Sequence, residues 1–235
     1  MALHGFAGTG RAWDGVGALL DPRRVRLFAP DLPGHGRAWD GRSVTFEATV
    51  ARVLDAAPER FALCGYSMGG RIALHLALRA PERVTRLVLV ATTAGIEDGA
   101  ERAARRTADE AFADEIERGT IEAFVERWSA QPLFAGDPPE AQALWRADMR
   151  RNDPAGLAAS LRGTGTGAME SLWARLPRLA MPAAVLAGAR DAKFAALAER
   201  LAAALPDAGA PEIVPDAGHG LPREAPEAIA AALTP

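Results

Sequence analysis

Gly65-Tyr66-Ser67-Met68-Gly69-Gly70 sets a serine among small residues at the boundary of two unlike segments. Before it runs Arg60-Phe61-Ala62-Leu63-Cys64, apolar and strand-like; after it, Arg71 to Arg79 has helical spacing. Gly-x-Ser-x-Gly between a strand and a helix is a tight turn that pushes the serine out at the top of the strand. The N–H of Met68, at the start of the helix, then points at the same space. A serine hydroxyl needs a base, and the base needs an orienting group. Both follow in the chain, acid first. Gly188-Ala189-Arg190-Asp191 places a carboxylate after the strand-like run Ala183 to Ala187, and Asp216-Ala217-Gly218-His219-Gly220 places an imidazole after Glu212-Ile213-Val214. Both therefore lie at carboxyl ends of strands, the edge where Ser67 emerges. Ser67, His219 and Asp191 are the candidate catalytic residues. Asp216 rivals Asp191 as the acid, but it is too local to His219 to replace a carboxylate from another strand.

Other polar residues have milder roles. His35, in Pro33-Gly34-His35-Gly36, reads as a structural turn residue, and His75, mid-helix, as a packed or surface histidine. No His, Cys and Asp cluster has metal-ligand spacing. Gly163-Thr164-Gly165-Thr166-Gly167 lacks both the Gly-Lys-Ser/Thr ending and the preceding strand of a phosphate loop, and reads as a hinge or loop.

The elements that must position these residues alternate. A helix is expected from Gly10 to Leu20, a strand from Arg24 to Ala29, and a helix from Val44 to Ala57 with Ser43 as its N-cap. The strand before Ser67, the helix after it and a strand from Val84 to Ala91 come next. From Ile96 to about Leu176 the chain is Arg- and Glu-rich, helical in spacing, and holds Trp128, Trp145 and Trp173, three of the five tryptophans. A strand at Ala183 to Ala187, a helix from Phe194 to Leu205, a short strand at Glu212 to Val214 and a helix from Arg223 to Leu233 complete it. Strands alternating with helices argue for a mostly parallel sheet flanked by helices. Together with the serine turn this is the α/β-hydrolase fold. Its core is expected at residues 1–96 and 178–235, with an inserted helical cap at 97–177. The 235 residues suffice for one sizeable domain. The net charge of −3 supplies no basic field for nucleic acid or anionic membrane, and no apolar run is long enough to span a bilayer. No signal peptide is seen, and with Cys64 the only cysteine no internal disulfide forms; a cytoplasmic location fits. Among 27 basic residues Lys193 is the only lysine, so arginine has replaced lysine nearly everywhere else.

Over nearly its whole length the chain resembles the menaquinone-pathway synthases that form 2-succinyl-6-hydroxy-2,4-cyclohexadiene-1-carboxylate. Leu3-His4-Gly5-Phe6, Asp31-Leu32-Pro33-Gly34-His35-Gly36 and Gly65 to Ala73 match, Tyr66 and Arg71 being the selective parts. More specific are Glu101 to Arg106, Trp128 to Phe134, Leu157 to Gly163, and Arg190-Asp191-Ala192-Lys193-Phe194. The resemblance implies elimination of pyruvate from a cyclohexene bearing several carboxylates, without cofactor, with Ser67 acting as a base rather than forming an acyl-enzyme. It implies an oxyanion hole from the N–H groups of Phe6, in the loop of His4, and Met68. It further implies substrate contacts from Tyr66, Arg71, Arg105, Lys193, Trp128, Phe134 and a further arginine, Arg150 or Arg151, of which Arg150 is preferred. Several carboxylates need several fixed cations, and the planar fork of arginine suits them. The partner expected is thus a small polycarboxylate.

There are departures. Ser129 stands where the family has tyrosine, and Gly220-Leu221-Pro222 replaces a more polar stretch. Only Met1 to Leu3 precede the His-Gly loop, where the fold has two strands and most of a third, so the amino-terminal strands are expected to be missing, through a start set too late. An esterase or carbon–carbon-bond hydrolase on the same scaffold is the alternative enzyme, and a non-catalytic small-ligand sensor the alternative of another class.

Overall fold

The structure, a computed structural model, describes residues 1–234. Five parallel strands lie in the order β1 (Ala2–Leu3), β2 (Phe61–Tyr66), β3 (Val84–Val90), β4 (Ala183–Gly188) and β5 (Glu212–Val214). The helices are α1 (Asp14–Leu19), α2 (Phe46–Ala56), α3 (Met68–Arg79), α4 (Gly99–Arg118), α5 (Ile121–Ser129), α6 (Pro139–Met149), α7 (Pro154–Thr164), α8 (Ala192–Ala204), α9 (Leu221–Glu224) and α10 (Pro226–Leu233).

The central strands are apolar on both faces, as a sheet covered on both sides requires. Phe61, Leu63, Leu87 and Leu89 point into one core, with Ile72, Leu74 and Leu76 of α3, Val50 and Val53 of α2, and Leu201 of α8. Cys64, Tyr66, Val88 and Val90 point into the other, with Trp13, Val16 of α1, Leu221 of α9, and Ile229 and Leu233 of α10. Each fully buried aliphatic side chain contributes about 1.5–3 kcal/mol. Among the described residues no strand interrupts the segment between β3 and β4. Its helices α4 to α7 share a third core built from Ile116, Phe124, Val125, Trp145, Met149 and Leu157. Ala7 joins that core and Phe6 packs against it, so the helical layer is seated on the loop that follows β1.

Several boundaries differ from the expectations. Arg24 to Ala29 forms no strand; its neighbour β1 has two residues, and the link between them is the Ala2 N–H donating to Phe28 O at 2.9 Å. Thr45, not Ser43, caps α2, its hydroxyl accepting from the Ala48 N–H at 3.1 Å. The last helix breaks at Ala225, because Pro226 cannot continue the hydrogen-bond ladder of α9 and instead opens α10. Gly163 to Gly167 spans the last turn of α7, which ends at Thr164, and the short 3-10 turn Thr166–Ala168. A Cβ on Gly163 would lie 1.6 Å from Val44 O, and one on Gly167 would lie 2.4 Å from Arg106 Cα. These glycines are points of close backbone packing. No helix of the described residues is long and apolar enough to cross a membrane.

Candidate active site

Ser67 sits between β2 and α3 with φ +52°, a left-handed conformation that costs a non-glycine residue about 1–3 kcal/mol. The surroundings hold it there. Its N–H donates to Val90 O at 2.9 Å, extending the β2–β3 ladder to the serine itself, and its carbonyl accepts from Thr92 Oγ1 at 2.7 Å. The turn closes only over glycine: a Cβ on Gly65 would stand 2.4 Å from Gly69 O, and one on Gly69 would stand 2.1 Å from Leu3 O.

Asp191 follows β4 and caps α8, one carboxylate oxygen accepting from the Phe194 N–H at 3.2 Å. The other oxygen accepts from His219 Nδ1 at 2.8 Å. That bond assigns the proton to Nδ1 and leaves Nε2 to accept from Ser67 Oγ, 3.1 Å away. Gly188 lets the histidine loop approach β4, since a Cβ there would meet Gly218 O at 2.2 Å. His219 is 3% exposed, and burial lowers its pKa despite the bond to Asp191, so the imidazole is neutral and able to take a proton at neutral pH. Asp216 is exposed, at φ +55°, and serves the turn rather than the histidine.

Next to Ser67 the N–H groups of Phe6 and Met68 donate to no backbone acceptor among the described residues, and both residues line the cavity. The two histidines of the neighbouring loops are structural. His4 Nε2 accepts from the Leu32 N–H at 2.9 Å, and His35 Nε2 accepts from the Ala7 N–H at 3.2 Å. His75 stacks on Phe46 at 4.4 Å.

The cavity above Ser67 has a volume of about 700 Å³. Tyr66, Arg71, Arg105, Trp128, Phe134, Lys193 and His219 all line it. Burial, then the nearby Arg105, push Arg71 down to about 9, so it remains a cation at neutral pH. Burial pushes the Tyr66 hydroxyl up to about 12, so it stays neutral. Trp128 forms an aromatic wall with Phe6, Phe112 and Phe124, its ring 5.2 Å from that of Phe6. Phe134 and Phe194 flank the ring of His219 at 6.2 and 4.5 Å.

Arg150 is not part of this constellation. Its neighbours Asp148, Met149 and Asn152 face inward, where Asp148 accepts from the Thr9 N–H at 2.9 Å and Asn152 donates to Ala7 O at 2.9 Å. Helical geometry then turns Arg150 outward, exposed and donating to Arg146 O at 3.3 Å. Arg151 points into a separate open groove with Arg11 and Arg37, away from Ser67. The cation that sequence reasoning missed is Arg200. It lines the cavity, lies 3.8 Å over the ring of Trp173, and pairs with Glu97 at 2.6 Å. Its signal was its spacing: Lys193, Leu197 and Arg200 fall on one face of α8. Among the described residues no three His, Cys, Asp or Glu side chains converge to hold a metal.

Comparison with known proteins places this geometry. The Alpha/beta hydrolase family profile matches residues 2–232. The chain belongs to that family. Within it, a putative 2-succinyl-6-hydroxy-2,4-cyclohexadiene-1-carboxylate synthase of Bacillus subtilis is 37% identical, over 96% of this chain and 85% of the relative. The synthase so named from Klebsiella pneumoniae is 35% identical over 98% of this chain and 90% of the relative. Among solved structures of this hydrolase fold, MenH from S. aureus superposes with a TM-score of 0.89 at 30% identity, covering 98% of this chain and 89% of that one. A thermophilic esterase from Thermogutta terrifontis superposes with a TM-score of 0.83 at 26% identity, covering 98% and 86%.

Proposed function

We propose that the chain is a carbon–oxygen lyase. It eliminates pyruvate from 2-succinyl-5-enolpyruvyl-6-hydroxy-3-cyclohexene-1-carboxylate to give 2-succinyl-6-hydroxy-2,4-cyclohexadiene-1-carboxylate, the product after which its relatives are named. The observation that carries this reading is Arg71: a buried cation with no carboxylate partner, one helical turn from Ser67, in a cavity that also holds Arg105, Lys193 and Arg200. Glu97, Asp98 and Glu101 line the same cavity, but its four cations outnumber them, which suits a small molecule bearing carboxylates. A simple ester has no use for such a cavity.

The reaction needs one base and one oxyanion site. The ring proton at C2 is acidified by the succinyl ketone beside it. Ser67, its own proton passed to His219, removes that proton. The negative charge moves to the ketone oxygen, which the N–H groups of Phe6 and Met68 stabilise. The charge then returns to C2 and makes a C2–C3 double bond, the C3–C4 pair moves to C4–C5, and the C5–O bond breaks with its electron pair leaving on the enolpyruvate oxygen. The proton on His219 returns to the departing enolpyruvate, which becomes pyruvate. Asp191 keeps the imidazole in its working tautomer throughout. No water is added, and the residues at 97–177 serve as the cap that excludes it.

Supplying the enolpyruvyl precursor and following pyruvate with lactate dehydrogenase tests the reading. Pyruvate and the diene should appear one to one, and Ser67→Ala should abolish both. Turnover of aryl esters without pyruvate release would replace the lyase by a hydrolase. Neither activity would favour a ligand sensor. Ester hydrolysis is the second reading, favoured by the Ser67 to His219 hydrogen bond, which equally suits attack on a carbonyl.

A further inference from the structure

His219 is flanked by Gly218 and Gly220, and one carboxylate grips the chain on both sides of it. Glu224, at the end of α9, accepts from the Gly218 N–H through Oε2 and from the Gly220 N–H through Oε1, both at 2.9 Å. Its side chain is 1% exposed. Arg190, the residue before Asp191, donates to the same Oε2, and its backbone N–H donates to Ala217 O at 2.9 Å. A second arm of Arg190 donates to Gly136 O in the helical layer. The close approach depends on glycine, because a Cβ on Gly220 would stand 3.0 Å from Glu224 Oε1 and 2.6 Å from Arg223 Nη2.

We propose that Glu224 is a positioning residue, whose carboxylate holds the His219 loop in register with the Asp191 loop. A buried carboxylate is a costly way to pack a loop, and apolar side chains would do so more cheaply. It does what they cannot: it fixes two N–H groups and one guanidinium with directional bonds. His219 must reach Asp191 at 2.8 Å and Ser67 at 3.1 Å at once. A loop free to drift by an ångström would break one bond or the other, and such misplacement lowers a rate roughly 100-fold.

The inference rests on Ser67, His219 and Asp191 as the reactive centre, and its test is independent of the substrate. Purified wild type and Glu224→Gln are treated with a fluorophosphonate, and the rate of covalent labelling at Ser67 is followed against pH, per folded molecule. The downfield proton NMR resonance of the His219 Nδ1–H is recorded alongside. The amide carries one acceptor oxygen, so at least one glycine N–H loses its partner. The labelling rate should fall roughly 100-fold and the resonance broaden or vanish, while Glu224→Asp recovers part of the rate. A merely structural role would lower the yield or melting temperature and leave the rate per folded molecule and the resonance unchanged; that result overturns the inference. If Glu224→Gln does not fold, Arg190→Met, which spares both glycine bonds, should still lower labelling about tenfold, and a wild-type rate there overturns the inference. Absence of labelling in the wild type would instead sink the reactive centre itself.

Discussion

Arg71 donates to the backbone carbonyl of Thr164 at 2.6 Å and meets no carboxylate among the described residues, whereas Arg105, facing the same cavity, is ion-paired with Asp109 at 2.7 Å. A buried cation that must share the charge of Asp109 with Arg105 is a source of instability that an anionic ligand relieves. A tricarboxylate should therefore stabilise the fold by mass action, by about 2.7 kcal/mol at 100 times its dissociation constant, and so raise the unfolding midpoint. Arg71→Met should lose most of that response and, without ligand, melt no lower than wild type. Thermal denaturation with and without the anion checks both, and an equal anion response in the two proteins would remove Arg71 from the binding site.

The cations divide by position, and kinetics should divide them likewise. Arg105 is paired with Asp109 and its side chain is 43% exposed, so screening weakens its hold on an anion: Arg105→Ala should raise KM and lower kcat/KM several-fold. Arg200 is half-exposed and shared with Glu97, so screening shrinks its share: Arg200→Ala should raise KM several-fold, and less so at high salt. Arg150→Ala should change neither constant. An effect at Arg150 larger than at Arg200 would reverse the assignment.

The division between Arg150 and Arg200 shows where the sequence was readable. Ser67, Asp191 and His219 were legible because each stands next to a turn that only small residues can make, after a strand whose apolar run is unmistakable. The sheet was legible for the same reason. Arg150 was misplaced because it was carried over from the resemblance alone: it and Arg151 both stand just past the end of α6, and neither lines the cavity above Ser67. Arg200 was missed because its pairing with Glu97 joins residues far apart in the chain. Glu224 was missed because the groups that donate to it around His219 are backbone N–H groups, which leave no trace in residue types. The extended run from Arg24 to Ala29 has strand composition, but a strand needs a partner of matching length, and β1 has two residues.

Acid should weaken both activity and fold. Burial lowers the pKa of His219, so the acid limb of kcat/KM should lie below the ordinary histidine value of 6.5. Burial also lowers His4, His35 strongly, and His75 to about 4. As pH falls past 6.5, the unfolded chain takes up these protons before the folded one does, and stability is lost. Asp137 has the opposite sign. Burial and then Glu224 raise it to about 6, so the folded state gains a proton there and recovers a little. Four histidines outweigh one carboxylate, and the urea midpoint should decline between about pH 6.5 and 5. A flat or rising midpoint over that range would contradict the burial of neutral imidazoles.

Two glycines to alanine should move stability in opposite directions. In a helix, alanine is favoured over glycine by about 1 kcal/mol. Gly99 opens α4 with nothing within 4 Å of a new Cβ, so Gly99→Ala should be neutral or stabilising. Gly163 lies in α7, where the same methyl group would sit 1.6 Å from Val44 O. Backbone oxygen cannot rotate away as a side chain can, and such overpacking costs about 1–3 kcal/mol. The clash therefore exceeds the helix gain, and Gly163→Ala should lower the urea midpoint. It should also disturb the cavity: the displaced end of α7 carries Thr164, whose carbonyl holds Arg71, so KM should rise with the loss of stability. Gly163→Ala with wild-type stability and wild-type KM would show that α7 is not seated on the segment before α2.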